Sequence, residues 1–228
     1  MLPSSKYQDL LEILLSSGLK PSLDWNNKAT PSTLLLRHDV DFSIEYAHKL
    51  AILENDFNVK SSFFFMLSSN MYNLFSRRNR ELVKEIKAMG HLVSLHFDPA
   101  SYNNLDSFII EKNAFESLIE SEIDIISIHR PGPFLQENNR KLGDINQTYC
   151  DAYSKEMKYL SDSGGRDIFP LVNEYLKDTG NKGLHLLIHP LWWVGKAETP
   201  TEILNEWKLK NNFFITSEIR ANCKTYLD

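Results

Sequence analysis

An α/β fold built on a parallel sheet is what this sequence predicts, and three observations predict it. From Ser32 onward, short apolar runs of strand length alternate with longer stretches of helical periodicity, the pattern of βαβ units. Histidines and carboxylates recur where those runs give way to polar loop residues, the end at which parallel folds gather their chemistry. The composition, 42% hydrophobic and 24% charged in 228 residues, is that of a globular chain able to bury a sizeable core.

The elements follow in order. About residues 5–18 form an amphipathic helix, in which Lys6, Asp9 and Glu12 interrupt the leucines; this is not the pattern of a signal peptide. The polar, turn-like segment Pro21–Pro31 leads into a buried strand at Ser32–Val40. A helix spans Ile44–Asn55, with Ile44, Ala47, Leu50, Ala51 and Leu53 on its apolar side. Lys60–Leu67 is a Phe-rich strand. Ser76 is placed to cap a helix running to Met89, with Gly90 as its left-handed stop. Leu92–Phe97 is a strand, Ser107–Ile119 a helix and Ile123–His129 a strand. Weaker strands follow at Tyr159–Ser161, Leu184–Ile188 and Phe213–Thr216. This alternation admits both an irregular α/β barrel and an open doubly wound sheet. With no repeat, low-complexity tract or linker, the expectation is a single domain over residues 1–228.

Composition also excludes. A net charge of −5 and a pI near 5.8 leave no cationic footprint for nucleic acid or an anionic membrane. No apolar run approaches the roughly 20 residues needed to span a bilayer. Cys150 and Cys223 are the only cysteines, so no disulfide framework staples the fold, and a reducing, cytoplasmic setting is expected. A glycine-rich phosphate loop, a GxSxG elbow and a CxxC pair are all missing.

Four clusters carry chemistry. In Arg37-His38-Asp39-Val40-Asp41, strand alternation puts Asp39 and Asp41 on one face and His38 and Val40 on the other. Two carboxylates so placed suit a metal site, one binding the ion and the other acting as a base. Asp41 would also serve as a helix cap, which leaves Asp39 unexplained. In Gly90–Pro99, His96 and Asp98 share a face, and His91, of opposite parity, reads as structural. In Ser127–Phe134, His129 and Arg130 have opposite parity, and a turn at Pro131 would bring both to the rim. Arg130 there suits a carboxylate or an anionic substrate group, or equally a surface ion pair. Leu186–Trp193 ends an apolar strand with His189, Trp192 and Trp193; such tryptophans either stack on sugars or close the core. Asp162 opens a tight Asp162-Ser163-Gly164-Gly165 loop, a weak signal by itself. Arg77, Arg78 and Arg80 read as a solvated helix face.

In this order the clusters resemble the polysaccharide deacetylase superfamily, the NodB-homology or carbohydrate esterase family 4 group. RHDVD at Arg37–Asp41, GHLVSLHFD at Gly90–Asp98, HRPGPF at His129–Phe134 and LIHPLWW at Leu187–Trp193 carry the resemblance. It implies a distorted (β/α) barrel of about seven strands and a divalent-metal-dependent hydrolase that removes acetyl from an N-acetyl sugar. By position, Asp39 resembles the catalytic base, Asp41 and His96 metal ligands, Arg130 the arginine bracing the base, and His189 the assisting acid. Where the family has its second metal histidine, four residues after the first, this chain has Ala100. His129 is the expected substitute ligand and Asp98 the alternative; zinc is the expected ion, with nickel, cobalt or iron also suited to imidazole. Trp192 and Asp162 are expected to contact substrate. A cytoplasmic setting favours a nucleotide-linked or lipid-linked sugar in surface-polysaccharide assembly. The departure at Ala100 keeps a non-catalytic carbohydrate-binding homologue open, and a small non-sugar amide is the other alternative substrate.

Overall fold

The computed structural model describes residues 3–102, 107–132, 141–178 and 182–227. In chain order the elements are α1 (Pro3–Ser16), β1 (Lys20–Pro21), β2 (Thr33–Val40), α2 (Ile44–Asp56), β3 (Ser62–Phe65), α3 (Arg77–Ala88) and β4 (Leu92–Phe97). Then come α4 (Ser107–Ile119), β5 (Ile125–Ile128), β6 (Asn146–Gln147), α5 (Asp151–Ser154), β7 (Lys158–Ser161), α6 (Phe169–Lys177), β8 (Leu184–Ile188) and α7 (Pro200–Asn222). The strands lie in the order β6-β5-β4-β3-β2-β8-β7, with β1 attached to the start of β2, and every pairing is parallel. The sheet curls until its edges approach: Tyr149, just past β6, lies 6.0 Å ring to ring from Tyr159 on β7. The result is an irregular, open (β/α) barrel, the first of the two architectures the alternation admitted.

Alternation along the strands sorts side chains between the two faces. Leu34, Leu36, Phe63, Phe65, Leu95, Phe97, Ile126, Ile128, Leu184, Leu186 and Ile188 face outward into the helical layer, where α1 to α4 and α6 cover them. Each such Leu, Ile or Phe removed from water contributes about 1.5–3 kcal/mol. The inward positions behave differently. Trp25, Leu35, Phe64, Ile125, Tyr153 and Met157 plug the interior at the amino end of the strands. Towards the carboxyl end, inward positions are polar: Arg37 and Asp39 on β2, His96 on β4 and Ser127 on β5, all buried. A parallel barrel must either fill its carboxyl end or use it, and this chain lines it with ionisable groups.

Local signals account for most boundaries. Ser76 caps α3, its hydroxyl accepting from Asn79 N, and Gly90 at φ 89° ends the segment in the left-handed region open to glycine. Gly183 enters β8 where a Cβ would meet Thr30 O at 2.7 Å and Thr33 O at 2.9 Å, so only glycine lets these backbones approach. The sequence reading fails at Phe213–Thr216, which belongs to α7 and not to a strand. That helix starts thirteen residues earlier in a capping box between Thr199 and Glu202, with Pro200 in its first turn. Once begun, it carries the β-favouring Phe213-Phe214-Ile215-Thr216 run as helix. Among the described residues no helix is long and apolar enough to cross a membrane.

Candidate functional site

β2, β4, β5 and β8 deliver their last residues to one cavity of about 380 Å³ at the carboxyl end of the sheet. Asp41 follows β2, His96 lies within β4, and His129 follows β5. Their donor atoms form a triangle: His96 Nε2 to Asp41 Oδ1 3.2 Å, His129 Nδ1 to Asp41 Oδ1 3.5 Å, and His96 Nε2 to His129 Nδ1 3.1 Å. Ligands at 2.0–2.1 Å from a tetrahedral zinc are about 3.3 Å apart, so this triangle has the size of one face of such a site. Asp41 Oδ1 is buried and makes no hydrogen bond. A buried oxygen is seldom left without a partner, and a cation is the partner this one fits. Burial pushes the Asp41 carboxyl up, but the His129 and His96 imidazoles beside it hold it well below the usual carboxylate range. The residues present therefore fit a divalent ion.

The tautomer of His96 follows from counting protons. Ser127 Oγ donates its single proton to Asp39 Oδ1 at 2.9 Å and accepts from Arg37 Nη2 at 2.6 Å. His96 Nδ1, 2.8 Å from the same oxygen, must then be the donor of that contact. Nε2, on the side of the triangle, is left with its lone pair, the form a metal requires.

Asp39 lies beside the triangle, its Oδ2 3.7 Å from His96 Nε2. Arg37 grips it through Nε to Oδ1 at 2.8 Å and Nη2 to Oδ2 at 2.6 Å, a bidentate clamp. Burial pushes the Asp39 carboxyl up, yet Arg37 and His96 hold it down at about 2, so it is ionised at neutral pH. On the other side of Asp41, His189 Nε2 stands 3.8 Å from Oδ2. Its Nδ1 is 2.6 Å from Asp162 Oδ1, and its backbone N–H also donates to that carboxylate. Burial pulls the His189 imidazole down, but the hydrogen bond and charge of Asp162, with Asp41 and Asp39 beyond, raise it to about 9. An ionised carboxylate and a protonated imidazole thus both lie beside the triangle.

Several expectations are corrected by position. The brace on Asp39 comes from Arg37; Arg130 sits on the cavity rim at φ 46°, in the left-handed region just before Pro131. His129 and Arg130 differ in parity as expected, and His129 continues the inward run of Ile125 and Ser127. Asp98 borders the cavity but turns its Oδ1 to cap Ala100 N at 2.9 Å, starting a 3-10 turn at Pro99–Ser101, and stands outside the donor triangle. Asp162 is wholly buried and holds His189 and the Trp193 indole (2.7 Å) instead of meeting substrate. Trp192 borders a separate cavity of about 350 Å³ with Trp193 and Phe169. His38, at a strand end like the site histidines, faces the helical layer, bonded to Glu54 at 2.8 Å. His91 is structural, between Ser61 and the Ala51 carbonyl. Pro133 and Phe134 of the HRPGPF stretch lie outside the described residues. Sequence reasoning missed Arg37 and Ser127 as members of the site; their shared parity with Asp39 and His129, two residues on, was the available signal.

No family model and no curated protein matches the chain. Solved structures do. The catalytic domain of a peptidoglycan N-acetylglucosamine deacetylase from Eubacterium rectale is 15% identical over 83% of this chain and 89% of its own, with a TM-score of 0.49. The chitin deacetylase of Colletotrichum lindemuthianum is 15% identical over 84% and 86%, with a TM-score of 0.46. A CE4 family pseudoenzyme from Bacillus anthracis, BA3943, is 12% identical over 84% of this chain, with a TM-score of 0.45. This chain spans only 65% of that protein's length.

Proposed function

We propose that this chain is a divalent-metal-dependent hydrolase that removes acetyl from an N-acetylated sugar. The observation that carries the reading is the donor triangle of Asp41, His96 and His129 flanked by an ionised carboxylate and a protonated imidazole. Asp41, His96 and His129 would hold the ion. When bound, a zinc or a nickel, cobalt or iron ion supplies Lewis acidity for the amide carbonyl and lowers the pKa of water. Asp39, ionised and clamped by Arg37 and Ser127, takes the proton of the attacking water. His189, kept protonated by Asp162, gives its proton to the departing nitrogen, without which an amine leaves poorly. Arg130 at the rim suits an anionic group of the substrate, which fits a nucleotide- or lipid-linked sugar of polysaccharide assembly.

The test is acetate release from a panel of free, nucleotide-linked and polymeric N-acetyl sugars by metal-loaded protein. Asp39→Asn is expected to retain the ion and lose about 10²–10⁴ in rate, the usual contribution of a general base. An Asp39→Asn variant as active as the parent, or one that no longer binds metal, would end this assignment.

A further inference from the structure

Three carboxylates line the cavity that holds the donor triangle: Asp39, Asp41 and Asp98. Arg37 clamps Asp39, and Asp41 belongs to the triangle. Asp98 has neither engagement. It is only 8% exposed, and its Oδ1 accepts from Ala100 N at 2.9 Å. Among the described residues no hydrogen bond or ion pair falls on its Oδ2. The cap alone does not call for a carboxylate. Asn and Ser serve an N-cap as well as Asp does, and a carboxylate is the costliest of the three to bury without a partner. One oxygen of Asp98 is thus left for something that enters the cavity.

The strand fixes where that oxygen stands. His96 lies within β4, and Asp98 keeps extended backbone at φ −105° and ψ 99°. Residues two apart on such a strand share a face and stand about 6.6 Å apart. β4 pairs with β5 so that His96 lies against Ser127, and the His129 N–H donates to Phe97 O. Asp98 therefore sits beside His129, one step farther toward the mouth of the cavity than His96. The lining next to it in the chain and on the loop after β3 is polar and uncharged, with Ser68, Ser69, Asn70 and Ser101.

We propose that Asp98 is a specificity-determining residue, its Oδ2 accepting a hydrogen bond from a ring hydroxyl of the N-acetylated sugar. The inference rests on the hydrolase reading above for the class of substrate. With the acetamide at the triangle, the ring carbons next to the acetamido carbon bring their hydroxyls within the spacing that separates Asp98 from His96. A carboxylate only accepts, so it selects a group that brings a proton. A ring that lacks the hydroxyl leaves Oδ2 covered and unpaired, and the site discriminates against it. The other use of Asp98, as a ligand to the ion, is opposed by its place outside the triangle and is read out by metal affinity.

Ligand-observed NMR follows binding and acetate release in one sample of zinc-loaded protein. The probes are N-acetylglucosamine, N-acetylgalactosamine and their 3-, 4- and 6-deoxy analogues. With the parent chain, one deoxy analogue is expected to bind about 10–100-fold more weakly than its parent sugar, the contribution of a hydrogen bond to a charged group. Asp98→Ser keeps a cap for Ala100 N and has nothing in place of Oδ2. It is expected to bind that sugar and that analogue equally weakly, with unchanged circular dichroism and zinc affinity. Asp98→Asn, of the same shape, is expected to lose the discrimination as well. Variants that discriminate as the parent does overturn the proposal, as does a parent that binds none of these sugars or binds the deoxy analogues as well as the sugars. Loss of zinc from Asp98→Ser makes Asp98 a ligand and overturns it too. Discrimination that depends on Asp98 without acetate release upholds the assignment and ends the hydrolase reading; acetate release with the same preference in parent and variants does the reverse.

Discussion

The proton of Ser127 decides which nitrogen of His96 is protonated, and so leaves the lone pair on Nε2, the nitrogen that faces the donor triangle. Because its hydroxyl donates to Asp39, His96 Nδ1 must donate to it. Ser127→Ala frees the ring to adopt the other tautomer, and loss of such an outer partner typically costs 10–100-fold in metal affinity. Competition against a chelator measures this; an unchanged affinity would mean that Ser127 does not set the tautomer. Asp162 acts in the same way on His189. Asp162→Asn keeps the shape but removes the charge, so the imidazole should lose its proton well below pH 9 and the alkaline limb of the rate profile should move down. A limb that stays near pH 9 would separate Asp162 from the acid role. Sequence reasoning reached Asp39, Asp41, His96, His129 and His189 because each sits where an apolar run ends, and strand ends converge. It did not foresee that Asp162 turns to His189 and Trp193, that Trp192 borders a different cavity or that Arg37 grips Asp39, because burial and partner choice depend on which loops fold back, and a tight turn such as Asp162–Gly165 carries no record of that.

Glu54 ties four elements together on the outer face of the sheet. It is fully buried in α2 and accepts from Tyr7 of α1 at 2.5 Å, His38 of β2 at 2.8 Å and Ser61, next to β3, at 2.5 Å. Burial pushes its carboxyl up, but His38, His91 and Ser61 hold it below its ordinary value. Glu54→Ala would leave the phenol, imidazole and hydroxyl without their acceptor. Such a loss costs about 3–5 kcal/mol, and denaturant unfolding should show it as a lower midpoint. Metal affinity should stay unchanged, since Glu54 and Asp41 lie on opposite faces of β2. A midpoint within 1 kcal/mol of the parent, on the usual conversion, would show that the network relaxes around the gap. Leu92–Phe97 reads clearly as a strand and Leu184–Ile188 only weakly, although both are buried almost throughout; His185, turned to the interior, interrupts the apolar run of the second. β1 and β6, two residues each, are made by pairing with β2 and β5 and have no pattern of their own. In α7 a capping box outweighs the local preference of Phe213–Thr216 for a strand.

Across the whole molecule, the charges gathered at the carboxyl end of the barrel make stability depend on pH in two directions. Asp39 titrates at about 2 in the fold and near its ordinary 3.8 in the unfolded chain. Its contribution is therefore present above pH 3.8 and lost as pH falls through 2. His189 titrates at about 9 in the fold against an ordinary 6.5, so its contribution is present below 6.5 and lost as pH rises through 9. At 1.36 kcal/mol per pKa unit these come to about 2 and 3 kcal/mol; the two groups lie within one cluster and share part of that energy. Protein stripped of metal with a chelator should thus unfold at its highest temperature between about pH 4 and 6.5, and lose ground on both sides. The alkaline loss belongs to His189: in His189→Gln it should vanish, while the acid loss, carried by Asp39 and Asp41, remains. A thermal midpoint that climbs from pH 7 to pH 9 in the parent, or an alkaline loss that survives in His189→Gln, would show that the imidazolium at the cavity is not what holds this end of the barrel together.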